Sequence, residues 1–325
     1  MGRDMTTIGK GLFLVALILL LTALVSLLPS DEGGIRMLDV MREPSIYLSA
    51  AVAVLALIFA RGGRTIIIAM SLAAIAIDLW RIWPYSTLAP AEIAMPDKVD
   101  GFECATVLSF NVLQDNDQYE RTAALIDAED PDILFLMETN REWIDALAPQ
   151  LGRYGFTLNQ PLENAYGKVF ATRLTVDRAS FEDNFGDDTP SLYASLRMAD
   201  DTRFELIGLH PRPPLPGEST EMRDKTIALA GSRTPDSLDN VLAIGDFNDV
   251  PWSSTVQGFV RDGQYLDPRV GRGTFSTFPA DYVKLGWPLD QIFVKNGVKV
   301  ESLRILEDVG SDHLPLAAKV CADPS

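Results

Sequence analysis

Histidine and cysteine are nearly missing from this chain, with two of each in 325 residues. Zinc is therefore a poor candidate for any metal the protein uses, since zinc centres are built mainly from those side chains. Basic clusters are lacking too: residues 98–325 hold 21 Lys/Arg against 37 Asp/Glu, a net charge of −16. A protein that grips duplex nucleic acid offers a basic face, because neutralised phosphates and released counterions supply most of its binding. The sequence has no such run, no internal repeat and no low-complexity tract.

Apolar sequence is plentiful at the N-terminus. Residues 1–88 read as a membrane domain with three spans, at about 11–29, 46–60 and 65–83. The first carries no charge over 19 residues, which at about 1.5 Å per residue nearly crosses a hydrocarbon core of about 30 Å. The second is short for a span. The third holds Asp78 and Arg81 near one end, where long side chains snorkel and Trp80 and Trp83 can sit at the interface. A signal peptide followed by buried helices is the competing reading, but no small-residue cleavage pattern follows Leu28. Arg3 and Lys10 ahead of the first run, and "RGGR" (61–64) between the second and third, are expected in the cytoplasm. A three-span chain then carries its C-terminal domain to the outside.

Residues 89–103 read as a linker and 104–325 as the soluble domain. Its opening alternates strand and helix, "ATVLSFNVL" (105–113), 118–130, "PDILFLME" (131–138) and 140–151, and predicts an α/β domain with a sheet buried against helices. Short β-forming runs follow at 168–176, 192–198 and 203–210. The prolines of "HPRPPLPGES" (210–219) require an extended loop. A helix over 218–231 and strands at 240–248, 289–297, 298–306 and 313–321 complete the reading.

Residues able to hold a cation or a phosphate recur where strands end: Asn111, Glu138, His210, Asp246 with Asn248, and Asp312 with His313, while Asp290 opens a strand. Any one of them fits a turn or cap, because Asp and Asn bond their own backbone there. Six such places in one domain, including both histidines, point to a common site. Carboxylates and an amide without cysteine suit a hard ion such as Mg²⁺ or Mn²⁺, which can polarise a phosphoryl oxygen.

The order "SFNVL", "LFLME", "GLHP", "GDFN", "LDQI" and "GSDH" resembles the endonuclease/exonuclease/phosphatase superfamily over residues 104–321. The resemblance implies an α/β four-layered sandwich, two packed mixed β-sheets flanked by helices, here preceded by about three transmembrane helices. "GLHPRPPLP" and "GDFNDVPWSS" behind three apolar runs resemble the membrane-anchored bacterial branch, which includes proteins linked to glycopeptide resistance. By this resemblance Glu138 binds Mg²⁺ or Mn²⁺, with Asn111 and Asp312 assisting. Asp246 orients or deprotonates the attacking water with help from Asn248. His313, held by Asp290, binds the scissile phosphate, and His210 donates to the phosphate or leaving group. Asn164, Tyr166 and Arg173 are weaker candidates for substrate contact, with a structural role at least as well supported. Two departures stand out: Gln291 follows Asp290 where the family usually has histidine, and Thr172-Arg173-Leu174-Thr175 replaces Ser-Arg-x-Pro.

Cys104 and Cys321, on their own, are equally read as two unrelated thiols. Antiparallel pairing of the first and last strands in the implied fold would bring them together as a disulfide in an oxidising compartment. The expected protein is a multi-pass enzyme of the bacterial inner or cytoplasmic membrane, hydrolysing a phosphorylated lipid, an envelope precursor or another small phosphoester outside the cytoplasm, among membrane lipids. An extracytoplasmic nuclease and a catalytically silent membrane binding protein are the alternatives, and the acidic balance disfavours nucleic acid as a partner.

Overall fold

The N-terminal apolar runs form helices in the computed structural model, which describes residues 4–186, 188–233 and 238–324, and all their side chains except those of 283 and 284. Two compact units emerge, residues 1–89 with 214–221, and residues 90–213 with 222–325. In the first unit lie α1 (Thr7–Val25), the short α2 (Gly33–Val40), α3 (Arg42–Phe59) and α4 (Arg64–Ile82). Three of the four helices are long and apolar enough to cross a membrane. The Thr6 hydroxyl accepts from the Gly9 amide at 3.1 Å and starts α1 early. Lys10 therefore lies in the first turn rather than ahead of the helix, and Arg3 falls outside the described residues.

Small side chains predominate in the interior of this unit, alongside buried Leu19, Val52 and Ile67. Ala16, Ala56, Ala74, Ser49 and Ser71 are buried, whereas Leu14, Ile18, Leu57, Ile58 and Leu72 are exposed. A bundle built for water places large apolar groups inside; small residues at the contacts and large ones outside are the pattern of helices packed in lipid. Asp78, near one end of the third apolar run, is held within the protein. It is buried and accepts from Arg42 Nη1 at 3.1 Å, while Arg42 Nη2 donates to Asp39 at 2.7 Å. Residues 214–221 are tied to the same unit by backbone bonds, with the Gly33 amide on the Glu218 carbonyl and the Thr220 amide on that of Asp31.

The second unit runs β1 (Glu103–Asn111), α5 (Tyr119–Glu129), β2 (Ile133–Met137), α6 (Arg141–Ala146), α7 (Ala148–Leu151), β3 (Phe156–Gln160), β4 (Lys168–Thr172), β5 (Thr175–Glu182), β6 (Ser191–Arg197), β7 (Arg203–Leu209), α8 (Glu221–Ser232), β8 (Val241–Asp246), α9 (Ser254–Gly263), β9 (Asp290–Val294), β10 (Val298–Ile305) and β11 (Leu316–Ala322). One sheet has the order β10-β11-β1-β2-β4-β3 and the other β5-β6-β7-β8-β9. Both are mixed, since β1–β2 and β7–β8 are parallel and the remaining pairs antiparallel.

Side-chain alternation builds the layers. In β2, Ile133, Phe135 and Met137 join the core between the sheets, while Leu134 and Leu136 face Trp143 and Ile144 of α6. In β8, Leu242 and Ile244 point inward and Val241 and Ala243 pack with Ile227 and Phe259 of α8 and α9. Strands covered on both faces read as continuous apolar runs for this reason. Gly208 lets the sheets approach, because a Cβ there would lie 2.7 Å from the Phe135 ring.

The run 168–176 is two strands in different sheets rather than one. Thr172 Oγ1 donates to the Asp132 carbonyl at 3.0 Å and accepts from the Leu174 amide at 3.1 Å, turning the chain between them. The sequence reading has no counterpart for α2, for the half-buried, partly polar edge strand β3, or for α9.

Cys104 lies opposite Cys321 in the β1–β11 ladder and is bonded to it across 217 positions of sequence. Such a link removes much of the unfolded chain's freedom. Replacing both cysteines with alanine is expected to cost about 2–5 kcal/mol, read as a lower unfolding midpoint than the oxidised parent and one no longer sensitive to reductant.

Candidate active site

The parallel pairs explain where polar groups gather. β1 and β2 end side by side, as do β7 and β8, and the antiparallel β9 begins opposite Asp246. Strand carboxyl ends leave backbone and side chains free at one rim, the usual place for a ligand in α/β sheets. Gly245, at φ +127°, makes the last turn of β8 possible, since a Cβ there would sit 2.0 Å from the Leu209 carbonyl oxygen.

Asn111 is the hub. Its Nδ2 donates to Glu138 Oε1 at 2.8 Å and to Asp246 Oδ2 at 3.1 Å, joining the two sheets through one buried amide. Ser311 Oγ donates to the Asn111 carbonyl and accepts from the His313 amide, which fixes the 311–313 turn against β1. Glu138 has φ +61° and accepts from the Gln114 amide; burial pushes its carboxyl up, partly offset by Asn111.

Asp246 is buried, and that burial raises it to about 6 against the opposing pull of His313. Asp246 Oδ1 accepts from the Asn248 amide at 2.8 Å, and Asn248 Nδ2 donates to the Pro211 carbonyl. The segment is thus a local turn and part of the cluster at once. His313 Nδ1 lies 2.8 Å from Asp290 Oδ2, and Nε2 lies 3.5 Å from Asp246 Oδ2. Burial alone would lower the imidazole, but the Asp290 and Asp246 carboxylates hold it up, at about 10. His313 is therefore an imidazolium at neutral pH. His210 is the opposite case. Burial, with Lys168 adding to it, keeps it well below the ordinary histidine range, and its Nε2 sits 3.8 Å from Glu138 and 3.7 Å from Asp246. Asp312 is exposed, yet close enough to raise both Glu138 and His313.

The three substrate candidates separate. The Tyr166 ring lies 5.0 Å from that of His210, and Asn164 accepts from the Tyr166 amide. Arg173 is not with them. It sits past the far end of β4, bonded to the carbonyl and carboxylate of Asp130 and paired with Asp132. Lys168, which the sequence reading passed over, opens β4 at the site end and is fully buried. Its signal was a charge heading an apolar strand.

Gln291 is fully buried. Its Nε2 donates to the Pro288 and Asp249 carbonyls at 2.6 and 2.8 Å, and its Oε1 accepts from Arg269 Nη2 at 2.6 Å. Arg269 is fixed in turn by Asp267, and Asp249 by Arg223. This buried chain of bonds holds the turn after Asp246 and the start of β9 in place.

Residues 108–313 match the model of the endonuclease/exonuclease/phosphatase family. The chain belongs to this family. The match opens three residues before Asn111 and closes on His313, so it brackets the whole cluster. No curated protein sequence matches the chain. Among solved structures, an endonuclease/exonuclease/phosphatase family protein from Bacteroides thetaiotaomicron is 17% identical, over 68% of this chain and 96% of its own, with a TM-score of 0.56. D. rerio TDP2 complexed with a single-strand DNA product is 15% identical over 67% and 98%, with a TM-score of 0.55. A mannosyl-6-phosphatase from Bacteroides thetaiotaomicron is 17% identical over 66% and 98%, with a TM-score of 0.52. At these identities the likeness is one of fold.

Members of the family are hydrolases of phosphoesters and generally use divalent metals. The donor set here fits that chemistry: Glu138 and Asp246 present oxygens on either side of the Asn111 amide, with no thiolate near. Asp246, Asp290 and His313 also converge within 4.8 Å, with His313 Nδ1 engaged by Asp290.

Proposed function

We propose that the protein is a membrane-anchored phosphoesterase of the bacterial branch linked to glycopeptide resistance, acting outside the cytoplasm on a phosphorylated lipid or another small phosphoester. The observation that carries the reading is that one chain has both the Asn111-centred carboxylate and histidine cluster and three helices that are long and apolar enough to cross a membrane and expose many large apolar side chains. Glu138, with Asn111 and Asp312 beside it, would hold Mg²⁺ or Mn²⁺, whose chemistry is to polarise the phosphoryl group and stabilise the leaving oxygen. Asp246, made more basic by burial, accepts the proton of the attacking water. His313, oriented by Asp290, donates from Nε2 to a phosphoryl oxygen. Neutral His210 offers an N–H to the same group or to the leaving oxygen.

A nuclease is the second reading, motivated by the fold shared with TDP2, and the net charge of −16 over residues 98–325 opposes it. Full-length protein in lipid nanodiscs, assayed with Mg²⁺ on a phospholipid, a sugar phosphate and plasmid DNA, separates these. Turnover of the lipid or the sugar phosphate, abolished by chelator, is expected. Cleavage of DNA alone would establish the nuclease, and inactivity on all three would favour a silent binding protein.

A further inference from the structure

The proline-rich stretch that follows His210 has no part in the hydrolytic scheme above. Pro211, Pro213, Pro214 and Pro216 offer no amide donor and hold φ near about −65°, which makes 211–216 a stiff strap. At its start the Pro211 carbonyl accepts from Asn248 Nδ2 at 3.0 Å. Past its end, Arg223 of α8 pairs with Asp249. Between these ties, residues 214–221 belong to the first unit, where they meet the start of α2. Glu32 and Ser219 form an antiparallel bridge. The Gly33 amide donates to the Glu218 carbonyl at 2.8 Å, the Thr220 amide to the Asp31 carbonyl at 2.6 Å, and the Gly217 amide to Glu32 Oε1 at 2.9 Å. A Cβ on Gly33 would lie 2.0 Å from the Leu215 carbonyl oxygen, so glycine is what lets the two segments close.

A segment with four prolines and no regular structure depends on other parts of the chain for order, because ordered backbone groups need partners and proline supplies no donor. Residues 31–33 provide those partners. The strap begins at His210, whose Nε2 sits 3.8 Å from Glu138 and 3.7 Å from Asp246. Four residues separate that imidazole from the part of the strap gripped within the first unit, and three of the four are prolines. A stiff link this short passes a displacement at the grip on to the histidine. We propose that residues 31–33 form a positioning clamp for His210, so that the helical unit takes part in catalysis besides anchoring the chain. The inference rests on the phosphoesterase reading for its effect on turnover, while the placement of His210 is tested independently of it.

Gly33→Ala in the full-length protein, held in lipid nanodiscs, forces the strap away while favouring α2, since alanine is the better helix former. Phosphoester turnover is expected to fall about 10- to 100-fold, mostly in kcat, because a misplacement of about 1 Å at a reacting group has effects of that size. In a His210→Ala background the same substitution is expected to change turnover by less than about twofold, since the clamp has nothing left to position. Histidine-selective ¹⁵N labelling reads the placement directly. The chain has two histidines, and the ring signals of His210 are expected to move in Gly33→Ala while those of His313 stay. Glu32→Ala, which removes the acceptor for the Gly217 amide, is expected to give the same pattern and keeps the test valid if Gly33→Ala fails to fold. Gly11→Ala, in α1 with no neighbouring atom within 4 Å of the added Cβ, is the control and leaves both readouts at the parental level. Parental turnover in Gly33→Ala, unmoved His210 signals, or an equal loss without the His210 side chain each overturns the clamp. A parent that hydrolyses no phosphoester loses the catalytic reading, and the His210 signals alone then decide the clamp.

Discussion

Asp246→Asn is expected to lower phosphoester turnover by about 10²- to 10⁴-fold while leaving the protein folded. The substitution is isosteric, and the neighbours of Oδ2 are Asn111 at 3.1 Å, His313 at 3.5 Å and His210 at 3.7 Å. An amide cannot take a proton from water and brings no charge to the cluster. The stability side follows from the sign of the shift. The folded-state value of Asp246 is raised, to about 6, so ionisation between the unfolded value and about pH 6 works against the native state. Asparagine escapes that cost, but its amide nitrogen meets a donor, either Asn111 Nδ2 or the Asn248 amide, so the two effects on stability oppose each other. Kinetics together with thermal unfolding of the full-length protein check both halves; an Asp246→Asn protein that turns over substrate at the parental rate would remove Asp246 from the chemistry.

Asp290→Asn has the second largest effect, and its signature is the pH profile. Asp290 lies 2.8 Å from His313 Nδ1 and is the leading support for the imidazolium that is held at about 10. Without that carboxylate the value drops toward the ordinary histidine range, so the alkaline limb of activity moves down by more than about one pH unit. The loss in kcat/KM is expected to be about 10²-fold at pH 8 and much smaller at pH 6. A linked change follows in stability. A raised histidine value stabilises the fold fully below about pH 6.5 and fades as pH climbs through about 10, so the parent loses this contribution over that interval and Asp290→Asn does not. Equal losses at both pH values would mean that Asp290 supports the structure and not the protonation of His313.

The resemblance read from six short motifs carried the fold because each motif lies at or beside one end of a strand, and strand ends are where side chains stop being chosen for packing. Gly245 and the Asx turn of Asp246 and Asn248 are visible as residues, and their meaning came from the register that sets Asp246 opposite Asp290. Arg173 and Lys168 show where local reading fails. Both are basic and lie within six residues of each other, yet β4 points one toward the site and carries the other to Asp130 and Asp132 at the far end. Gln291 misleads in a similar way: beside Asp290 in sequence, it turns beneath the site onto backbone carbonyls. Strand β3 escaped notice because an edge strand is half-buried and carries no clear alternation.

By itself the sequence determined the three apolar helices, the α/β class and the types of residue available for chemistry, since these depend on composition and on short-range periodicity. Only the tertiary structure decided which of those residues meet. Asn111 touches Asp246 across 135 positions of sequence, and Cys104 reaches Cys321 across 217. Contacts at such separations are set by strand order and register, which arise from how whole sheets bury their faces and leave no mark in any local window.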